Sequence, residues 1–300
     1  MTIEFYCPEC ESRLSFADDQ KGKQRRCQSC GQLLIVPEAN NLVPETIEQE
    51  QPEQDEPVPG FFKSVLTDSW TAIFHRESLT GLIFLLAATA FKFLAGHVDY
   101  SFTMGDFRMQ LWFGNVVWVV SWAVILYYYA VIIHETAYNV DTLPQADPGA
   151  GFGFIWNVVS TLYRFFMALL VVLMPAIIAI MLLGTKGRTI AAILGWAGLF
   201  LFPMAVLIVS VADDVTLLAR LDYIIKPVIK AIGPYLLAAG IFLLFCRLQL
   251  TASQYSRLQG ASGSVIFLHL GYNFALQFLA IIAMRSIGLF HRHYSCYMPW

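Results

Sequence analysis

Two CxxC pairs, Cys7 with Cys10 and Cys27 with Cys30, stand near the start of the chain with sixteen residues between them. Each pair makes a tight turn that aims two thiolates at one ion, and two such turns brought together by a hairpin complete the tetrahedral site that zinc prefers. Four protein ligands close the site, so its expected role is structural: one Zn2+ held, with no position left for a reacting water. The competing chemistry, a redox dithiol of thioredoxin type, needs a surrounding βαβ unit that this short segment cannot make. Gly31 after Cys30 lets backbone amides turn toward the sulfurs.

A second constellation lies in the last apolar segment, where His269, Asn273 and Gln277 recur every four residues and share one helix face. Such a stripe suits either a proton or small-solute path or hydrogen bonding between helices, worth about 0.6–2 kcal/mol per contact. No Asp, Glu or Arg on another span offers it a partner, which favours the bonding role. His134 and Glu135 begin like a metalloprotease helix, but the position of the second histidine is Tyr138, so the paired-ligand geometry is lost. Asp213 and Asp214 are adjacent and point about 100° apart on a helix, so they are not a facing acid pair. Cys246 and Cys296 have no neighbours at ligand spacing. No catalytic residues are assigned, and no enzymatic activity is expected.

The elements that position these residues follow from composition and periodicity. The chain has 300 residues, 57% hydrophobic and 14% charged, against roughly a quarter charged in ordinary globular proteins. The expected fold class is mostly α, a polytopic helical membrane domain at 61–300 preceded by a small β zinc ribbon at 1–37. Short runs at 3–6, 13–16, 24–26 and 32–36 are the expected strands of the ribbon. A piece of that size buries too little apolar surface to fold alone, and zinc supplies the difference, roughly 10–16 kcal/mol.

Residues CPEC and KGKQRRCQSCGQLLIVP resemble the N-terminal zinc ribbons of many bacterial proteins of unknown function, which implies metal binding without naming an activity. The membrane part resembles an uncharacterised family of bacterial multi-pass proteins through Thr142, Leu143 and Pro144, the FPMAVL segment at 202–207 and the RSIGLFHRHY ending at 285–294. That resemblance implies a bacterial cell membrane location and transfers no active site.

Residues 38–60 carry seven acids and no Lys or Arg, with Pro and Gln between them, and read as a disordered, self-repelling linker. Apolar spans of about 20 residues follow at 78–96, 111–133, 166–184, 190–211, 231–250 and 265–284, giving six crossings. Lys92 and Arg247 fall near span ends, where long side chains snorkel to headgroups. Three amphipathic segments precede the odd-numbered spans. The first aligns Phe62, Leu66, Trp70 and Ile73; the second aligns Ile155, Val159, Leu162 and Phe166; the third aligns Leu218, Leu221, Ile225 and Val228, with Pro227 expected to divide it.

Residues 1–20 lack the basic start and apolar core of a secretory signal, and paired CxxC motifs read as metal ligands in a reducing compartment. The N-terminus is therefore expected in the cytosol, as the positive-inside rule weakly supports with eight basic residues near that face against five near the other. The expected partners are the lipid bilayer and a cytosolic protein that engages the ribbon. Nucleic acid is not expected, because Asp18 and Asp19 offset the basic run Lys21, Lys23, Arg25 and Arg26 and no aromatics are interleaved with it. Arg285, His291, Arg292 and His293 are expected to meet anionic headgroups, with Tyr294, Tyr297 and Trp300 as interface anchors. The role that fits is a scaffold, sensor or protein-interaction module in the membrane; the alternative is a transporter or channel-like protein using the His269 stripe.

Overall fold

The computed structural model describes residues 2–7, 13–17, 22–27, 33–36, 56–96, 98, 100–104, 107–111, 113–145, 151–258 and 260–298. The chain divides into two units, Met1–Asp55 and Glu56–Trp300. In the first, β1 (Thr2–Tyr6) and β2 (Arg13–Ala17) pair antiparallel with Phe5 opposite Leu14, and β3 (Gln24–Arg26) pairs with β4 (Leu33–Ile35) with Arg25 opposite Leu34. Alternation aims Phe5, Leu14, Leu34 and Val36 into one small core, where Phe16 stacks on Phe5 at 5.8 Å.

The second unit is helical. A continuous helical stretch at 61–74 consists of α1 (Phe61–Lys63), a π-helical turn (Ser64–Asp68) and α2 (Ser69–Phe74). Six helices then are long and apolar enough to cross a bilayer: α3 (Leu79–Ala95) with the 3-10 turn before it, α4 (Phe113–Ala137), α5 (Phe152–Leu183), α6 (Arg188–Val211), α8 (Ile232–Thr251) and α9 (Gly263–Tyr294). The shorter α7 (Leu221–Lys230) follows a 3-10 turn at Val215–Ala219. Alternating direction puts 56–75, 138–145, 212–231 and the end of α9 at one end of the bundle, and 100–104, 107–111, 184–187 and 252–258 at the other.

Several expectations are corrected. The segment with Ile155, Val159, Leu162 and Phe166 is not a separate interfacial helix: it is the start of α5, whose 32 residues extend about 48 Å. Pro227 does not divide α7, which runs through it and closes with the Ala231 amide donating to the Pro227 carbonyl at 3.0 Å. The only amide bond forfeited is the one proline lacks. Two strands for which no element was expected, β5 (Tyr100–Met104) and β6 (Phe107–Leu111), pair antiparallel just ahead of the second span, which begins close to its expected position. The linker residues from Glu56 onward belong to the helical unit, and Val58 is tied to His293 by two bonds of 2.9 and 2.8 Å. The remainder of the linker, 38–55, lies outside the described residues.

Close helix contacts set the bundle's core. An added Cβ at Gly198 would run into the Val172 carbonyl of α5, and one at Gly288 into the Ile133 carbonyl and Thr136 of α4. Glycine at these places lets α6 approach α5, and α9 approach α4, backbone to side-chain distance. Around the second contact α9 is enclosed on all sides: every residue from 280 to 291 is buried.

Two segments have three distinct faces. On α7, Tyr223, Ile224, Pro227 and Val228 are buried, Leu221, Ile225 and Ile229 form an exposed apolar strip, and Asp222, Lys226 and Lys230 form a charged one. In the 61–74 stretch, Phe61, Val65, Ser69 and Ile73 are buried, Phe62, Leu66, Trp70 and Phe74 are exposed, and Lys63, Thr67, Asp68 and Thr71 make the polar strip. One face for protein, one for acyl chain and one for water is the partition of a helix lying in the membrane plane. Ile73 thus faces the core, not the strip shared by Phe62, Leu66 and Trp70.

Candidate functional site

Cys7 directly follows β1 and Cys27 directly follows β3, so each opens the turn of its own hairpin, and both are buried in the core shared by Phe5, Leu14 and Leu34. Their partners in the two CxxC pairs, Cys10 and Cys30, lie outside the described residues, as do Gly31, Lys21, Asp18 and Asp19. Among the described residues no group of three or more His, Cys, Asp or Glu side chains is clustered for a metal ion. The equivalent placement of Cys7 and Cys27 is what a two-knuckle zinc site needs from its first ligand in each pair.

The His269 stripe lands on α9 and is packed. Tyr129 of α4 donates its hydroxyl to Gln277 Oε1 at 2.7 Å with both side chains buried. Asn273 donates to the Ser253 carbonyl at 3.1 Å and to the His269 carbonyl at 2.9 Å. His269 is half-buried. The Gln277 bond ties α9 to α4 and the Ser253 bond ties it to the chain leaving α8, which is the interhelical function of polar residues in a membrane, while the bond to His269 stays within α9.

The acidic pair is structural. Asp213 has φ of 58°, a left-handed conformation that Asp tolerates better than most residues, and it forms a two-pronged ion pair with Arg164 of α5, one prong at 2.9 Å. Asp214 accepts from the Thr216 amide and hydroxyl, both at 2.8 Å, capping the following 3-10 turn. Those two bonds, the amide first, hold its pKa below the ordinary carboxylate value. His134 lies against Tyr138, ring centroids 4.7 Å apart, and Tyr138 against His291 at 6.3 Å, so Tyr138 fills with an aromatic contact the place a second metal ligand would need. Lys92 does not snorkel; it is buried with its ammonium 4.0 Å from the Trp122 ring centroid. Arg247 is exposed as expected.

The basic residues at the end of α9 also depart from expectation. Arg285, His291 and His293 are buried in protein and do not extend from the surface as snorkelling side chains, and Arg292 pairs with Asp141 at 2.7 Å. Trp300 lies outside the described residues. Together with Asp68, Thr71, Ser64, His75 and Thr142, residues 285, 292 and 293 line a half-open cleft of about 430 Å3 at the end of the bundle that holds both in-plane segments. Arg285 is 1% exposed, and its Nε and Nη1 make no hydrogen bond among the described residues. His293 Nδ1 must donate to Val58, because a carbonyl only accepts, so Nε2 is left as the neutral ring's acceptor. Sequence reading singled out Arg285, Arg292 and His293 but not Asp68, His75 or Asp141. The cleft joins positions more than 200 residues apart, and no spacing signals that. Comparison of the chain with protein-family models, with curated proteins and with solved structures finds no match.

Proposed function

We propose that this protein is a membrane scaffold or sensor: a six-span helical domain in a bacterial cell membrane, with a cytosolic N-terminal zinc module that engages a protein partner. The observation that carries the reading is the equivalent, buried placement of Cys7 and Cys27 directly after the first strand of two successive hairpins, each three positions ahead of a second cysteine. Cys7, Cys10, Cys27 and Cys30 would hold one Zn2+ by their thiolates, and the closed ligand set gives the ion a folding role. The bonds made by Asn273 and Gln277 favour this reading over the alternative of a transporter or channel-like protein, which needs those groups to face a water-filled path. No catalysis is assigned and no nucleic-acid partner is proposed; Lys23, Arg25 and Arg26 are exposed on the second hairpin.

Metal analysis of the full-length chain in mild detergent tests the module. About one zinc per chain is expected, released by Cys27→Ser while the helical domain keeps its thermal transition. A chain that carries no zinc after purification in zinc-replete buffer, with protease-resistant hairpins in both proteins, would show that the cysteines serve something else.

A further inference from the structure

We propose that the cleft formed by the 61–74 stretch, the 141–142 loop and the end of α9 binds a phosphoethanolamine group. The starting point is Arg285. A guanidinium cannot shed its proton at any physiological pH, and a buried charge is tolerated only when paired, yet two of its nitrogens have no hydrogen-bond partner among the described residues. Arg292, the other guanidinium, is already engaged by Asp141 at 2.7 Å. Arg285 therefore brings a buried, incompletely partnered guanidinium to the wall of the cleft, and a guanidinium edge is shaped to take two oxygens of a phosphate.

A plain anion accounts for only half of the lining. Asp68 also faces the cleft, is exposed, and makes no side-chain hydrogen bond or ion pair among the described residues, so its charge reaches Arg285 only through space. A carboxylate there repels a second negative charge and attracts a cationic donor, so the ligand that satisfies both walls carries phosphate and ammonium together. Ser64, Thr71 and Thr142 add hydroxyls, and the volume of about 430 Å3 lies within the roughly 300–1,000 Å3 of small-ligand clefts. Beside the cleft, Phe62, Leu66 and Trp70 leave an apolar strip exposed on the same helical stretch that supplies Asp68. A lipid whose headgroup entered the cleft would lay its chains along that strip. The same headgroup chemistry is available from phosphatidylethanolamine in the bilayer and from water-soluble phosphoethanolamine.

Full-length protein, delipidated in neutral detergent, is titrated with phosphatidylethanolamine, phosphatidylglycerol and phosphatidylcholine, and separately with O-phosphoethanolamine and inorganic phosphate, with saturable binding as readout. Phosphatidylethanolamine is expected to bind at one equivalent and about tenfold more tightly than the other two lipids, the difference being one charge-assisted contact to Asp68. Asp68→Asn, an exposed change that leaves the fold intact, is expected to erase that preference while retaining phosphate binding, and Arg285→Lys to weaken every phosphate ligand. Competition by O-phosphoethanolamine supports the cleft as the site; binding of O-phosphoethanolamine without the lipid assigns the soluble source to the same chemistry. If Arg285→Lys fails to fold, Asp68→Asn decides alone. Equal affinity for the three lipids, or a preference that survives Asp68→Asn, overturns the proposal. Neither result depends on zinc, so this site and the cysteine module stand or fall separately.

Discussion

At the scale of single residues, the polar side chains of the bundle interior act mainly by joining helices. The Tyr129–Gln277 bond is buried at both ends, so removing one partner strands the other in an apolar environment. Tyr129→Phe is expected to lower stability in detergent by about 1–2 kcal/mol, and the double variant Tyr129→Phe/Gln277→Leu to recover most of it. Equal losses that simply add in the double variant would mean the two residues are not coupled. Asp214 offers a pH test. Its folded pKa is lowered by Thr216, so its capping bonds stabilise the fold above the unfolded carboxylate's pKa, about 3.9, and that stabilisation is lost as pH falls through the lower folded value. Thermal melts should therefore separate the parent chain from Asp214→Ala at pH 7, and the separation should shrink as the pH falls below the unfolded carboxylate's value.

The elements were legible in the sequence to the extent that hydropathy alone defines them. Six apolar runs became six helices because a bilayer-length apolar segment has no better way to satisfy its backbone. Boundaries were less legible where the pattern had two meanings. Ile155, Val159 and Phe166 mark an exposed apolar strip whether the helix lies flat or continues into a span, and the continuous α5 resolves it the second way. The β5–β6 hairpin was hidden because its alternating Phe102, Met104, Phe107, Met109 and Leu111 abut the next apolar run. Helix packing leads to a sharp expectation: Gly198→Val would push α6 away from the Val172 carbonyl and should cost about 2 kcal/mol or more, as overpacking at a close contact does. The in-plane stretch at 61–74 gives another. In a variant that keeps Trp70 and replaces the other six tryptophans by phenylalanine, lipids brominated near the headgroup end of their chains should quench its fluorescence more than lipids brominated near the methyl end; quenching by neither would place Trp70 away from the bilayer.

For the whole molecule, an even number of crossings makes one end of the bundle special. It collects the cleft, α7, the 61–74 stretch and the last residues of α9. None of that convergence was readable from spacing, because it depends on which helix ends meet after six passes; the cysteine pairs are a local pattern that spacing alone displays, and their second members, Cys10 and Cys30, lie outside the described residues. The measurement that bears most directly on the arrangement is sidedness. Protease-cleavable tags placed before Thr2, after Met298 and in the 252–258 loop can be probed in right-side-out and inverted membrane vesicles. The two terminal tags should be cut only in inverted vesicles and the loop tag only in right-side-out ones. Terminal tags that are cut in opposite preparations would contradict six crossings, and terminal tags both cut from the outside would contradict a cytosolic home for the cysteine module.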